Sequence, residues 1–137
     1  MIKLFLDTNV VLDVLAAREP FLADSLIVFS LCESGEAEGC ASALTFCTVS
    51  YILRKFVTPV TMRGKLRDLR NVLMPVELSA SLLDMAMASS LPDFEDAVQF
   101  YSAVQSGADY IISRDKRHFP QDSIPVLTPT EFLLLAK

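Results

Sequence analysis

The 137-residue chain carries 12 Lys and Arg against 17 Asp and Glu, a net charge of −5, and 52% of its residues are hydrophobic. This length suits one domain, and we expect residues 1–137 to form a single unit around its own core. One histidine and three scattered cysteines argue against a histidine-rich metal site, a Ser-His-Asp triad, a zinc cluster and a disulfide framework.

Short apolar runs alternate along the chain with longer segments of helical periodicity. The predicted strands are 2–6, 40–42, 72–78, 110–113 and 126–127. The predicted helices are 9–17, 20–34, 43–56, 61–71, 80–90, 94–106 and 130–136. Several of the strands are continuously apolar, which is typical of strands that are buried on both faces.

This alternation predicts an α/β fold with a mainly parallel sheet, covered by helices on both sides and connected by right-handed crossovers. Residues that favour helix starts agree with it, because Ser42, Ser79 and Asp93 each precede a predicted helix and Pro129 precedes the last one. Ligands of such open sheets bind beyond the carboxyl ends of the strands, where the strand order reverses.

The most apolar stretch does not predict a membrane span. Residues 21–32 are interrupted by Asp24 and Ser25 and fall short of the roughly 18 residues that a span requires. Residues 1–6 lead directly into Asp7, which leaves no room for a signal peptide and its cleavage site. We therefore expect a cytoplasmic protein that does not contact the membrane.

Nine of the twelve basic residues fall in two stretches. The first holds Arg54, Lys55, Arg63, Lys65, Arg67 and Arg70, and the second holds Arg114, Lys116 and Arg117. These stretches are either solvated helix faces or a local track for phosphates on an otherwise acidic body.

Three aspartates are predicted to converge at one edge of the sheet. Asp7 directly follows the first strand, Asp115 follows the 110–113 strand, and Asp96 lies on the inward side of the 94–106 helix near its start. Asp7 and Asp93 also suit helix caps, a role that is compatible with binding a ligand. Clustered carboxylates repel one another unless a cation neutralises them, and an all-oxygen set suits Mg²⁺ or Mn²⁺.

Four segments in a fixed order resemble the PIN-domain family, in the form found in VapC-type toxins and their relatives. They are residues 5–12 (FLDTNVVL), 42–45 (SALT), 93–97 (DFEDA) and 108–119 (ADYIISRDKRHF). The resemblance spans almost the whole chain. It implies a three-layer α/β/α sandwich around a parallel sheet and a metal-dependent ribonuclease, commonly dimeric.

The resemblance also implies roles for individual residues. Asp7, Asp96 and Asp115 match the family's metal-binding acids, and Ser113 matches a supporting hydroxyl. We expect Thr8 or Asn9, with Ser113, to orient the groups around an Mg²⁺ or Mn²⁺ ion. We expect Arg54, Lys55 and Arg114 to hold the phosphates of an RNA substrate, and the partners to be an antitoxin protein and a second copy of the chain.

Thr48 departs from the family pattern, because the family usually places a Glu at this position. Either Asp93 supplies the fourth carboxylate, or the site binds metal weakly and the protein is a catalytically weak or inactive PIN-like module that binds RNA or a protein partner. His118 is a smaller departure, since relatives often carry an acid before the Phe; a surface position is expected for it and no role is assigned.

Phosphotransfer proteins of the α/β class form a third and disfavoured alternative. Haloacid-dehalogenase-like enzymes need Asp-x-Asp after the first strand, and Asn9 fills the second acidic position here. Response-regulator receivers need an Asp after the middle strand, where this chain has Leu78 and Ser79.

Overall fold

A computed structural model describes residues 1–135, and the end of the last predicted helix, at Ala136, lies outside them. Five strands form a single sheet: β1 (Lys3–Leu6), β2 (Glu38–Ser42), β3 (Met74–Val76), β4 (Tyr110–Ile112) and β5 (Val126–Leu127). The order across the sheet is β3-β2-β1-β4-β5, and all neighbouring strands are parallel. The strand order reverses between β1 and β4, which makes their carboxyl ends the expected place for a ligand.

Helices connect the strands. They are α1 (Thr8–Leu15), α2 (Leu22–Glu33), α3 (Ala43–Leu53), α4 (Pro59–Val72), α5 (Ala80–Ala88), α6 (Phe94–Ser106) and α7 (Pro129–Leu135), with a 3₁₀ turn at Lys116–His118. No helix within residues 1–135 has the length and apolar character that a membrane crossing requires.

The sheet is buried on both faces, as its continuous apolar strands predict. Leu4 and Leu6 of β1 are fully buried against a cluster to which α1, α2, α3, α4 and α7 contribute. Phe5 points the other way and packs in a second cluster with Phe100 of α6, and α5 packs on α6. Burying one such aromatic or aliphatic side chain contributes about 1.5–3 kcal/mol. The predicted three-layer α/β/α sandwich with a parallel sheet is confirmed.

The helix starts follow the predicted capping residues. The Ser42 Oγ accepts a hydrogen bond from the Leu44 N–H at 3.1 Å. The hydroxyl of Ser79 accepts one from the Leu82 N–H, also at 3.1 Å. An Asp93 Oδ1 accepts one from the N–H of the third helical residue at 2.9 Å. Each bond satisfies a backbone donor that the first helical turn leaves free.

The predicted strand 72–78 is too long, and the structure gives the reason. Val72 is the last residue of α4, and the Leu73 N–H still donates to the Leu69 carbonyl. Only Met74–Val76 pairs with β2, and Pro75 is tolerated because β3 is the edge strand. The helix before it also starts earlier than predicted, with Pro59 in its first turn.

Candidate active site

Asp7 lies at the carboxyl end of β1, beside β4. Its N–H donates to the Ile112 carbonyl at 2.9 Å, which fixes the chain where the strand order reverses. The Asp7 Oδ1 accepts a hydrogen bond from the Thr8 N–H at 2.7 Å, and Oδ2 accepts one from the Ser113 hydroxyl at 2.8 Å. The carboxylate is only 6% exposed. Asp7 therefore caps α1 and also belongs to a polar cluster at the sheet edge.

Ser113 links the two strand ends. Besides donating to Asp7, its Oγ accepts from the Asp115 N–H at 3.1 Å and lies 3.3 Å from the Asn9 side-chain nitrogen. The Asn9 side-chain oxygen accepts from the Arg114 N–H at 3.2 Å. These bonds tie the turn after β4 to the first turn of α1, so the position of Asp115 is set by residues on β1 and α1.

Asp96 and Asp115 lie on two sides of the His118 imidazole. The His118 Nε2 is 3.1 Å from an Asp115 oxygen, and Nδ1 is 3.8 Å from an Asp96 oxygen. Both are electrostatic contacts, and the one to Asp115 is the closer. The Arg117 Nε also donates to Asp115, at 3.1 Å. The 3₁₀ turn thus carries two side chains, His118 and Arg117, that contact these carboxylates.

The surroundings shift the acidities of the three aspartates in different directions. Burial raises the pKa of Asp7, against the hydrogen bond from Ser113. Burial also raises the pKa of Asp96, and the negative charges of Asp93 and Asp7 raise it further. The hydrogen bond from Arg117 is the main cause of the lowered pKa of Asp115. Asp7 and Asp96 are therefore the carboxylates whose charge is least well compensated by the protein.

A polar trio of Thr8, Thr45 and Gln99 lies next to Asp7, and Thr45 and Gln99 are buried. The hydroxyls of Thr8 and Thr45 are 2.9 Å apart, and the Gln99 amide nitrogen donates to both, at 3.3 and 3.2 Å. Within residues 1–135 the Gln99 amide oxygen is buried without a hydrogen-bond partner. Because Gln99 is three residues after Asp96 on α6, the trio joins α6 to α1 and α3 beneath the acidic edge.

The donor chemistry fits a divalent cation, although the side chains do not enclose one. Among the described residues, no group of three or more His, Cys, Asp or Glu is close enough together to hold a metal ion. Asp96 and Asp115 are instead turned toward His118. Carboxylate oxygens are the ligands that Mg²⁺ and Mn²⁺ prefer, and a cation would offset the raised pKa values of Asp7 and Asp96. The residues therefore fit the ion in chemical type, and binding it would require Asp96 and Asp115 to turn from His118 toward Asp7.

Arg114 is engaged by the protein itself. Its Nε and Nη2 donate to the two oxygens of Asp13, at 2.6 and 3.1 Å, and the Asp13 side chain is fully buried. The guanidinium carbon lies 3.9 Å from the centroid of the Phe21 ring, and a quarter of the Arg114 side chain remains exposed. The predicted phosphate contact thus concerns a guanidinium whose charge is already paired.

Arg54 and Lys55 are exposed at the end of α3. The guanidinium of Arg54 lies 3.8 Å from the centroid of the Tyr51 ring. Because α3 begins after Ser42 and rises about 1.5 Å per residue, these two side chains start roughly 18 Å along the helix from the acidic edge. Any RNA that they contact must extend well beyond the aspartates.

Comparison with known proteins identifies the family. A family model described as PIN domain matches residues 3–117, which is more than three quarters of the chain. The chain belongs to the PIN-domain family. It is 25% identical over 135 residues to Ribonuclease VapC1 of Aquifex aeolicus (strain VF5), covering 95% of this chain and 92% of that protein.

A solved structure shares the fold. A chain in the crystal structure of VapBC2 from Rickettsia felis, bound to a DNA fragment from the VapBC2 promoter, superposes on this chain with a TM-score of 0.64 at 13% sequence identity. The match covers 92% of this chain and 97% of that chain. At this identity the likeness concerns the three-layer architecture alone.

The position at which the PIN-domain pattern departs can now be located. Thr48 lies on α3, one turn after Thr45 of the polar trio. Asp93 is exposed, and one of its oxygens caps α6 by accepting a hydrogen bond from the Asp96 N–H. The role of Asp93 as the fourth carboxylate stays a prediction.

Sequence reasoning missed three residues around the PIN-domain site. His118 is half-exposed, as expected of a surface residue, yet it contacts two of the predicted metal ligands. Gln99 and Asp13 were assigned no role, although one supports Thr8 and the other fixes Arg114. The spacing offered a signal only for Asp13, which lies four residues after Asn9 and therefore on the same face of α1.

Proposed function

We propose that this PIN-domain chain is a metal-dependent endoribonuclease that hydrolyses RNA phosphodiester bonds. The observation that carries the proposal is that Asp7, Asp96 and Asp115 lie near one another where the strand order reverses. Asp96 and Asp115 both contact the His118 imidazole, and Ser113 links Asp7 to the turn that carries Asp115. The similarity to Ribonuclease VapC1 supports RNA as the substrate.

Asp7, Asp96 and Asp115 would hold the cation, with Asp93 as a further candidate. When bound, Mg²⁺ or Mn²⁺ lowers the pKa of water and stabilises charge on the phosphate oxygens. Ser113 fixes the direction of the Asp7 carboxylate by its 2.8 Å hydrogen bond. Such supporting groups orient ligands and typically contribute ten- to a hundred-fold to metal affinity or activity.

RNA would approach across the acidic edge and along the exposed basic residues. Arg54 and Lys55 can hold phosphates, which fix the position of a nucleic acid without selecting its sequence. Contacts between these basic side chains and phosphates release counterions, so we expect RNA binding to weaken as salt rises, even though salt also screens the repulsion from the net charge of −5.

The direct test is cleavage of a fluorescent RNA by the purified chain with Mn²⁺ and with EDTA. Asp7→Asn and Asp96→Asn should each lower the rate by about a hundred-fold or more, as expected for groups that hold the metal. Asp84→Asn, a change of the same kind at an exposed position of α5, should leave it unchanged. Equal rates for Asp7→Asn and wild type would exclude the proposed site.

A catalytically weak PIN-like module that binds RNA or a protein is the second candidate, and Thr48 favours it. A hydroxyl supplies neither the charge nor the metal affinity of a carboxylate. If the wild type does not cleave RNA with Mn²⁺ and Thr48→Glu does, the module is the better description. Thr48→Val, which keeps the shape without the hydroxyl, is the control.

The proposed partners are an antitoxin protein and a second copy of the chain. Several large apolar side chains are exposed, among them Phe56, 77% exposed after the end of α3, and Val60, 80% exposed in the first turn of α4. Exposed apolar side chains of this size are common at protein interfaces. Sedimentation of the purified chain, alone and mixed with a candidate antitoxin protein, measures both associations.

A further inference from the structure

A cleft opens between the start of α2 and the start of α7, with Arg114 from the turn after β4 in its wall. It encloses about 450 Å³, a volume within the range of small-molecule sites. Its walls combine apolar and polar side chains: Pro20, Phe21, Asp24, Ser25, Arg114, Thr128, Pro129 and Thr130. Arg114 directly follows Ser113, the residue that holds Asp7, so the backbone of one cleft residue adjoins the proposed metal centre.

Arg114 lines this cleft with a guanidinium that is held in place and covered on one face by the Phe21 ring, so a base would stack against the other face. Two hydrogen bonds to the buried Asp13 set the plane of the guanidinium, and the Phe21 ring lies 3.9 Å from it. Because Asp13 neutralises the charge, Arg114 is poorly suited to hold a phosphate. A held guanidinium plane is, however, a surface on which unpaired bases stack in RNA-binding proteins.

Two further groups give the cleft hydrogen-bonding capacity. The Asp24 carboxylate accepts a hydrogen bond from the Thr130 hydroxyl through one oxygen, which leaves lone pairs for another donor. Ser25 is fully buried, and its hydroxyl has no hydrogen-bond partner among residues 1–135. Buried hydroxyls are normally paired, so an unpaired one that lines a cleft indicates a ligand or ordered water there.

We infer that this cleft binds one unpaired RNA base next to the bond to be cleaved, stacked on Arg114 and read by Asp24. A carboxylate accepts from bases that donate on their Watson–Crick edge. Guanine offers two adjacent N–H donors on that edge, whereas uracil offers one between two acceptors, so the cleft selects guanine over uracil. The inference rests on the proposed ribonuclease function and names the base specificity of the same site.

Base binding is measured by NMR titration of the full chain carrying Asp7→Asn, with EDTA present, so that neither metal nor cleavage enters. 5′-GMP should bind at least about fivefold more tightly than 5′-UMP, a difference near 1 kcal/mol. The largest chemical-shift changes should fall on Phe21, Ser25 and Thr130. Equal affinities, or shifts confined to other surfaces, would overturn the inference.

Arg114→Lys separates the flat surface from the charge. Lysine keeps a cation for Asp13 but lacks the plane, so the affinity for GMP should fall about fivefold or more. Arg67→Lys is the control, because Arg67 is exposed on α4 and does not line the cleft. GMP affinity in that variant should stay within about twofold of the parent. Unchanged affinity in a folded Arg114→Lys variant would overturn the stacking role.

Asp24→Asn provides a second variant, at a partly buried residue of α2. It keeps an oxygen for Thr130 and removes the carboxylate, so GMP should lose its advantage over UMP while UMP affinity is unchanged. Retained preference for GMP would overturn the reading by Asp24. If base binding behaves as described but no RNA is cleaved with Mn²⁺, only the proposed ribonuclease function fails. Cleavage without any base preference would leave that function standing and reject the cleft.

Discussion

Replacing Arg114 by Ala should destabilise the protein strongly, because it leaves Asp13 charged and buried. Breaking a buried ion pair by removing one partner costs about 3–5 kcal/mol. Two features lower this figure: a quarter of the Arg114 side chain is exposed, and Arg18 lies 3.9 Å from the same carboxylate. We therefore expect a loss of about 2–4 kcal/mol. The entropy of unfolding for a chain of this length is about 0.3 kcal/mol/K, so the Tm should fall by roughly 10 °C.

The measurement is urea unfolding of wild type, Arg114→Ala, Asp13→Asn and the double variant, which together form a double-mutant cycle. Asn at position 13 needs no counter-ion, so the second change should recover part of the loss caused by the first. Arg54→Ala removes a comparable stacked arginine from an exposed site and should cost less than about 1 kcal/mol. A loss below about 1 kcal/mol for Arg114→Ala, or additive single changes, would refute this account of the pair.

Three further predictions concern the acids and the core. Asp7→Asn should raise the Tm at pH 7 in EDTA. Folding raises the pKa of the Asp7 carboxyl, so the ionised carboxylate destabilises the folded state once the pH rises above the ordinary pKa of 3.8. The gain should disappear in melts below that pH. His118→Ala should tighten Mn²⁺ binding about threefold or more in calorimetry, because Asp96 and Asp115 lose their internal partner; weaker binding would indicate that the imidazole is itself a ligand. Gly39→Ala should cost about 1–3 kcal/mol in urea unfolding, since a Cβ there would lie 2.6 Å from Leu73 and 2.7 Å from Cys32; an unchanged midpoint would contradict it.

The fold could be predicted because its signals are local. The strands are apolar runs, the helices have their own periodicity, and Ser42, Ser79 and Asp93 mark helix starts by bonds that span two or three residues. The extent of β3 could not be predicted, since the apolar pattern from Val72 onward suits a helix end and a strand equally well. Only the pairing of Met74–Val76 with β2 decides between them.

The candidate site could be predicted in outline because parallel strands bring their carboxyl ends to one edge. Asp7 and Asp115 each follow a strand, so topology alone brings them near each other. The role of Arg114 could not be predicted in this way. Its partner, Asp13, is 101 residues away in the sequence, and the two meet only when α1 packs beside the end of β4. The placement of His118 between two acids depends on a 3₁₀ turn that has no strong sequence signal.

The metal centre is tested most directly by a crystal structure of the chain soaked in Mn²⁺ and measured near the manganese absorption edge. The account predicts an anomalous difference peak bound by Asp7, Asp96 and Asp115, with the His118 imidazole turned away from them. If there is no peak at these carboxylates while the same preparation cleaves RNA with Mn²⁺, the proposed site is wrong.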